Sequence, residues 1–147
     1  MPLRITFYAH ACFRLEGSGL SIVTDPYTPY EAGPPPVPDA ADVVVMSSAL
    51  DPAHSCPEQV PGSPRVVNAL DAVDQPISLG GGVEVSAVAA SEGYDREDPR
   101  QNAIYRFTLD GVRICHMATS ATRSQTSSSR RCAETSTCSL RSPGQPA

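Results

Sequence analysis

A chain of 147 residues has the length of one domain, and its first 117 residues carry fifteen acidic side chains against seven arginines, a net of −8. Such a body offers no electrostatic footprint for nucleic acid, and the stretch from Ala118 onward, net +3 from four arginines and one glutamate, is too sparse to act as a polybasic arm. No apolar run reaches the length of a membrane span; five cysteines without C-x-x-C spacing or a secretory leader read as reduced thiols, so a soluble cytoplasmic protein is expected.

The first segment, "RITFYAHACFRLEG" over residues 4–17, is rich in β-branched and aromatic residues and breaks at Gly17-Ser18-Gly19, which predicts two strands or one bent strand before a turn. "LSIVT" is the next strand and ends at "DPY". The loop "TPYEAGPPPVPDA" follows, where five prolines within eleven residues exclude helix and central strand. "DVVVMS" over residues 42–47 is a continuous apolar run, the pattern of a strand buried on both faces. The residues just beyond such a strand, "SALDPAHSC", lie where open α/β sheets place ligands. A short helix is allowed at Cys56 to Val60. "RVVNAL" and "GGGVEVSAVAA" predict further strands, and "NAIYRFTLDGVRICHM" predicts a hairpin turning at Asp110-Gly111. Residues 1–117 therefore read as β-rich, one layer of a larger sandwich, without internal repeats.

Candidate chemical groups stand where strands end: His10, Asp25, Asp51 and His54. Asp51 and His54, three apart, can share a face of one helical turn, and a carboxylate with an imidazole can hold a divalent metal or pass a proton. The alternatives stay open: an Asp-Pro turn with a solvated His54, a half-buried strand histidine at His10, and an Asp-Pro turn at Asp25. "LGGGVEV" lacks the lysine of a phosphate loop and leads into a strand, so it is a turn. Cys12 is expected to be buried core rather than a nucleophile.

The ordered pieces "ITFYAHACFRLEG", "LSIVTDPY", "ADVVVMSS…HS", "VPGSPRVVNAL" and "GVEVSAVAA…N…YRFTLDGVRICHM" resemble the N-terminal half of the metallo-β-lactamase-fold hydrolases. The nearest branch is that of ascorbate-6-phosphate lactonase-like proteins and related Zn-dependent hydrolases, over residues 3–117. The resemblance implies an α/β class, an αββα sandwich with Zn, or Mn in some members, at a sheet edge, and hydroxide attack on a carbonyl or phosphoryl centre. It aligns His10 with the histidine of a "GHSCF"-like start, Asp25 with the aspartate of "TDP", and Asn102 with an asparagine before the next strand.

The same resemblance exposes departures. Ser48 and Leu50 stand where the family's H-x-H-x-D-H run has its first two histidines, His54 matches the last only across one extra residue, and the region of Ser91 and Glu92 replaces a further histidine. The metal set expected is therefore His54, Asp51, His10 and Asp25, with Asp51 as the catalytic candidate, or else a metal-free pocket; whether this chain is an enzyme is left open.

Where the family continues with "GDLGH", this chain has "ATSATR". A GC-rich codon choice for those residues, read one base earlier, spells GDLGHA. Residues 118–147 are thus expected to be a disordered, frameshifted tail, and the chain an inactive, truncated relative of an enzyme acting on a small ester, lactone or phosphorylated metabolite. A non-catalytic binding or scaffold protein is the rival expectation.

Overall fold

A computed structural model of the chain describes residues 2–30, 33–51, 53–91 and 100–118. Glu92 and the tail beyond residue 118 lie outside them. The first segment forms two strands rather than one bent strand, β1 (Arg4–Ala9) and β2 (Cys12–Gly17), turning at His10-Ala11. β3 (Leu20–Thr24) and β4 (Val43–Met46) follow, and every residue of β4 is buried, as its unbroken apolar run requires. A single 3-10 helix (Pro57–Gln59) replaces the short helix allowed there. β5 (Arg65–Asn68) leads into a second such helix (Ala69–Ala72), whose start is capped by the Asn68 side chain accepting from Leu70 N. Then come β6 (Ile77–Gly80), β7 (Val83–Ala90), β8 (Asn102–Leu109) and β9 (Val112–His116).

These strands make two sheets, where the sequence pattern suggested one layer. The first has the order β1-β2-β3-β4-β5, with β3-β4 and β4-β5 parallel; the second is an antiparallel run β6-β7-β8-β9. Alternation explains the pairing of layers. Leu15, Ile22, Val43, Val45 and Val67 of the first sheet meet Leu79, Val85, Tyr105, Phe107 and Leu109 of the second in one core. Burying such a set is worth roughly 1.5–3 kcal/mol per large side chain, and it is the main term that holds the layers together. Tyr105, fully buried, also donates from its hydroxyl to the Val45 carbonyl across the layers at 3.4 Å.

The outer face of the first sheet forms a second core from Cys12, Val23, Val44 and Met46, roofed by Tyr27 and Val37. The proline-rich loop therefore has a packing role: it is pinned by Tyr27 Oη donating to Pro35 O at 2.7 Å and Val37 N donating to Gln59 Oε1 at 2.7 Å. Among the described residues no helix is long and apolar enough to cross a membrane.

Candidate functional site

β1, β3, β4 and β9 all run toward one rim, because β3 and β4 are parallel, β1 and β3 both oppose β2, and β9 returns beside the start of β8. That topology collects groups far apart in sequence. His10 occupies the β1-β2 turn with φ 51°, Asp25 follows β3 with φ 37°, Ser47 follows β4, and His116 closes β9. His10 is exposed in a turn, not half-buried in a strand as one reading of the sequence had it. An open cleft of about 370 Å³ lies at this rim, lined by His10, Phe13, His54, Cys115, His116 and Met117 among others.

Two carboxylate–imidazole pairs stand at the cleft. Asp51 Oδ2 lies 2.7 Å from His54 Nδ1, in a turn closed by His54 N donating to Asp51 O and by Ala53 N donating to Asp51 Oδ1 at 2.9 Å. The three-residue spacing thus produces the contact expected of it. His10 approaches the same pair, its ring centre 5.8 Å from that of His54 in an edge-on arrangement.

The second pair was not foreseen from the sequence. Asp25 Oδ2 lies 2.8 Å from His116 Nε2, while Oδ1 accepts from Ser47 N at 2.6 Å and from Ser47 Oγ at 2.8 Å. Asp25 is fully buried, so it lies beneath the rim that it was expected to line and reaches the cleft only through His116. Such a carboxylate fixes the tautomer and orientation of the imidazole it faces. The signal for His116 was present in "VRICHM": alternation from Ile114, which packs on the interlayer core, puts His116 on the same inward face. Ser47 was hidden in the apolar run that precedes it.

Cys12 lies under the rim with its thiol pushed up to about 12, first by burial and then by the nearby Asp25 charge. It is a protonated core residue, as the sequence reading held. Burial, reinforced by Asp25, likewise holds the Tyr105 phenol well above its ordinary value.

The fit of these groups to a metal ion follows from how their atoms are engaged. Both oxygens of Asp25 are taken by Ser47 and His116, and both oxygens of Asp51 by Ala53 and His54. Leu50 is 82% exposed, and Ser48 is buried with its hydroxyl accepting from Leu50 N at 3.1 Å. Among the described residues no three His, Cys, Asp or Glu side chains assemble around one point that could hold an ion. The set does not fit a metal centre as it stands, and no hydrolytic step through a metal is assigned to it. What the arrangement can do is present carboxylate-oriented imidazoles to a small molecule in the cleft. Asn102, aligned with a family asparagine, is buried at the start of β8 and keeps its side-chain oxygen on Ala103 N, while Ala103 N also donates to Ser47 O.

A family model described as a beta-lactamase superfamily domain matches residues 4–134. Among solved structures, a protein of Thermotoga maritima assigned as a Zn-dependent hydrolase of the metallo-beta-lactamase superfamily is 30% identical, with a TM-score of 0.57, over 80% of this chain and 50% of its own. A protein of Parabacteroides distasonis assigned as a metal-dependent hydrolase is 20% identical, with a TM-score of 0.56, over 78% of this chain and 59% of its own. CmlA, a diiron beta-hydroxylase from Streptomyces venezuelae, is 18% identical, with a TM-score of 0.60, over 92% of this chain and 33% of its own. The last two likenesses show the fold alone. No protein of curated function matches. The chain spans about half the length, or less, of these three structures.

Proposed function

The chain belongs to the beta-lactamase superfamily, and on that premise we propose that it carries the N-terminal half of a metal-dependent hydrolase domain. The whole enzyme would act on a small ester, lactone or phosphorylated metabolite, with Zn or Mn as its metal. Asp51 and His54 are its candidate ligands, and His10 stands beside them at the rim. One observation carries this reading: a two-sheet scaffold delivers Asp51, His54, His10 and the Asp25–His116 pair to a single cleft. The chain by itself is read as inactive, because its carboxylates are spent on internal hydrogen bonds and the remaining donors belong to a half it lacks. Residues beyond 117 are read as the product of a shifted frame.

The test is metal content and turnover of the purified chain. Less than one equivalent of zinc and no esterase or lactonase activity are expected; stoichiometric metal with turnover overturns the reading. The coding sequence around codon 117 tests the tail separately, since a single-base change must restore a frame encoding a C-terminal half.

A second reading is favoured by Leu50 and Ser48, one exposed and unable to ligate, the other engaged in its own turn. On this reading the fold is kept as a non-catalytic binder. A full-length protein of restored frame that folds without metal would decide for it.

A further inference from the structure

The Asp51–His54 turn lies between β4 and the first 3-10 helix, outside both sheets, so no strand register fixes where it points. The bonds that close it are local. Ala53 N donates to the Asp51 carboxylate, and His54 N and the Ser55 hydroxyl donate to the Asp51 carbonyl. Such a turn forms by itself, because an aspartate readily takes the amide two residues on. It cannot by itself bring His54 beside His10, which stands far earlier in the chain.

Two backbone hydrogen bonds set its direction. Thr28 N donates to Ala53 O at 3.2 Å and Cys56 N donates to Pro26 O at 2.9 Å, so residues 53–56 lie along residues 26–28. The same short segment carries Tyr27, which is 2% exposed and whose ring centre is 5.9 Å from that of His10. Residues 26–28 are therefore the support that His10 and His54 have in common.

Gln59 grips this support. The turn of helix from Cys56, closed by Gln59 N donating to Cys56 O at 3.3 Å, brings its side chain back to Tyr27. Gln59 Nε2 donates to Tyr27 O, and Gln59 Oε1 accepts from Val37 N at 2.7 Å. One amide thus ties the His54 loop to the Tyr27 backbone and to the proline-rich loop. The task needs a donor and an acceptor on one side chain of this length; glutamate offers acceptors alone, and methionine a weak acceptor only.

We infer that Gln59 is a positioning residue, which acts through Tyr27 to set the Asp51–His54 pair beside His10 at the cleft. The inference deepens the proposed function and rests on its placing of His10 and His54 in one site. Its readout is the position of two rings rather than metal or turnover, so either can fail without the other.

Nuclear magnetic resonance of the full-length chain is the measurement, since only three histidines contribute ring signals. At about pH 8, where an ordinary imidazole is neutral, the parent His54 should carry its hydrogen on Nδ1, toward Asp51. It should also show a nuclear Overhauser effect to the His10 ring, whose centre is 5.8 Å away. Gln59→Met removes both hydrogen bonds of the amide, whereas Gln59→Glu keeps the one from Val37 N and loses the one to Tyr27 O.

In both variants the His10–His54 effect is expected to vanish and the His54 ring protons to shift. The hydrogen stays on His54 Nδ1, because that turn is local, and the His116 ring, held by Asp25, keeps its place in the spectrum. A merely structural role would lower the urea midpoint and leave the ring contact intact. Persistence of the His10–His54 effect in either variant, its absence from the parent, transfer of the His54 hydrogen to Nε2, or a His116 shift as large as that of His54 would each overturn the inference. Should one variant lose its strand signal in circular dichroism, the other decides; loss in both overturns the inference as well, by showing that Gln59 holds the fold itself.

Discussion

Replacing Asp25 by Asn tests whether one buried carboxylate organises the rim. In the native chain Asp25 accepts from Ser47 N at 2.6 Å and Ser47 Oγ at 2.8 Å, faces His116 Nε2 at 2.8 Å, and donates its own amide to Val45 O at 3.0 Å. Asparagine keeps the shape and one acceptor oxygen, which serves Ser47, but turns an N–H toward His116. The imidazole must then change tautomer or lose its partner. Hydrogen bonds to a charged group contribute about 1.5–3 kcal/mol, so Asp25→Asn is expected to cost about that much. Asp25→Ala, which strands every donor around it, is expected to cost about 3–5 kcal/mol. Against a total stability of about 5–15 kcal/mol, the alanine variant stands near the limit of folding.

Urea unfolding followed by circular dichroism measures both, at constant m-value. A double-mutant cycle of Asp25→Asn with His116→Ala isolates the pair and should give a coupling of about 0.5–3 kcal/mol. If Asp25→Asn unfolds within about 0.5 kcal/mol of the parent and the coupling is nil, Asp25 is not the organising group and the argument for His116 falls with it.

Cys12 gives a pH dependence with a definite sign. Its folded pKa is about 12 against an ordinary 9.0, so between those values the native state keeps a proton that the unfolded chain has lost. The Cys12 contribution to stability should therefore be unaffected below about pH 9 and fall above it, by at most about 1.4 kcal/mol per pH unit, and Cys12→Ala should remove the slope between about pH 9 and 10 in alkaline unfolding titrations; above about pH 10 the buried Tyr105 phenol adds a loss of the same sign that the variant keeps. Native-state alkylation at neutral pH should spare Cys12, which is 0% exposed, and modify the half-buried Cys56 and Cys115 ahead of it; equal rates at these three thiols would contradict the packing. Gly17→Ala should destabilise the fold by about 1–3 kcal/mol in the same urea assay, because the new methyl meets the Asp110 carboxyl and comes within 3.2 Å of buried Leu109 Cγ; an unchanged midpoint would show that the two turns separate easily.

The strands were legible because their periods are local. "DVVVMS" could only be a strand buried on both faces, and Asp110-Gly111, with φ 49° and 76°, could only be a tight hairpin turn. The five ordered segments also carried the family. Asp51 and His54 were legible as a pair because three residues separate them, a distance that one turn of chain closes whatever surrounds it.

Nothing local announces the pairing of Asp25 with His116, ninety-one residues apart: it exists because parallel β3-β4 and antiparallel β8-β9 end at the same rim. The same holds for the split into two sheets, and for the exposure of Ile5 and Phe7, which alternate as core residues do. Sequence determines which face of a strand is apolar, since that follows from a period of two. Whether another layer lies above that face is decided by how the sheets stack, and among the described residues the second sheet stops one strand short.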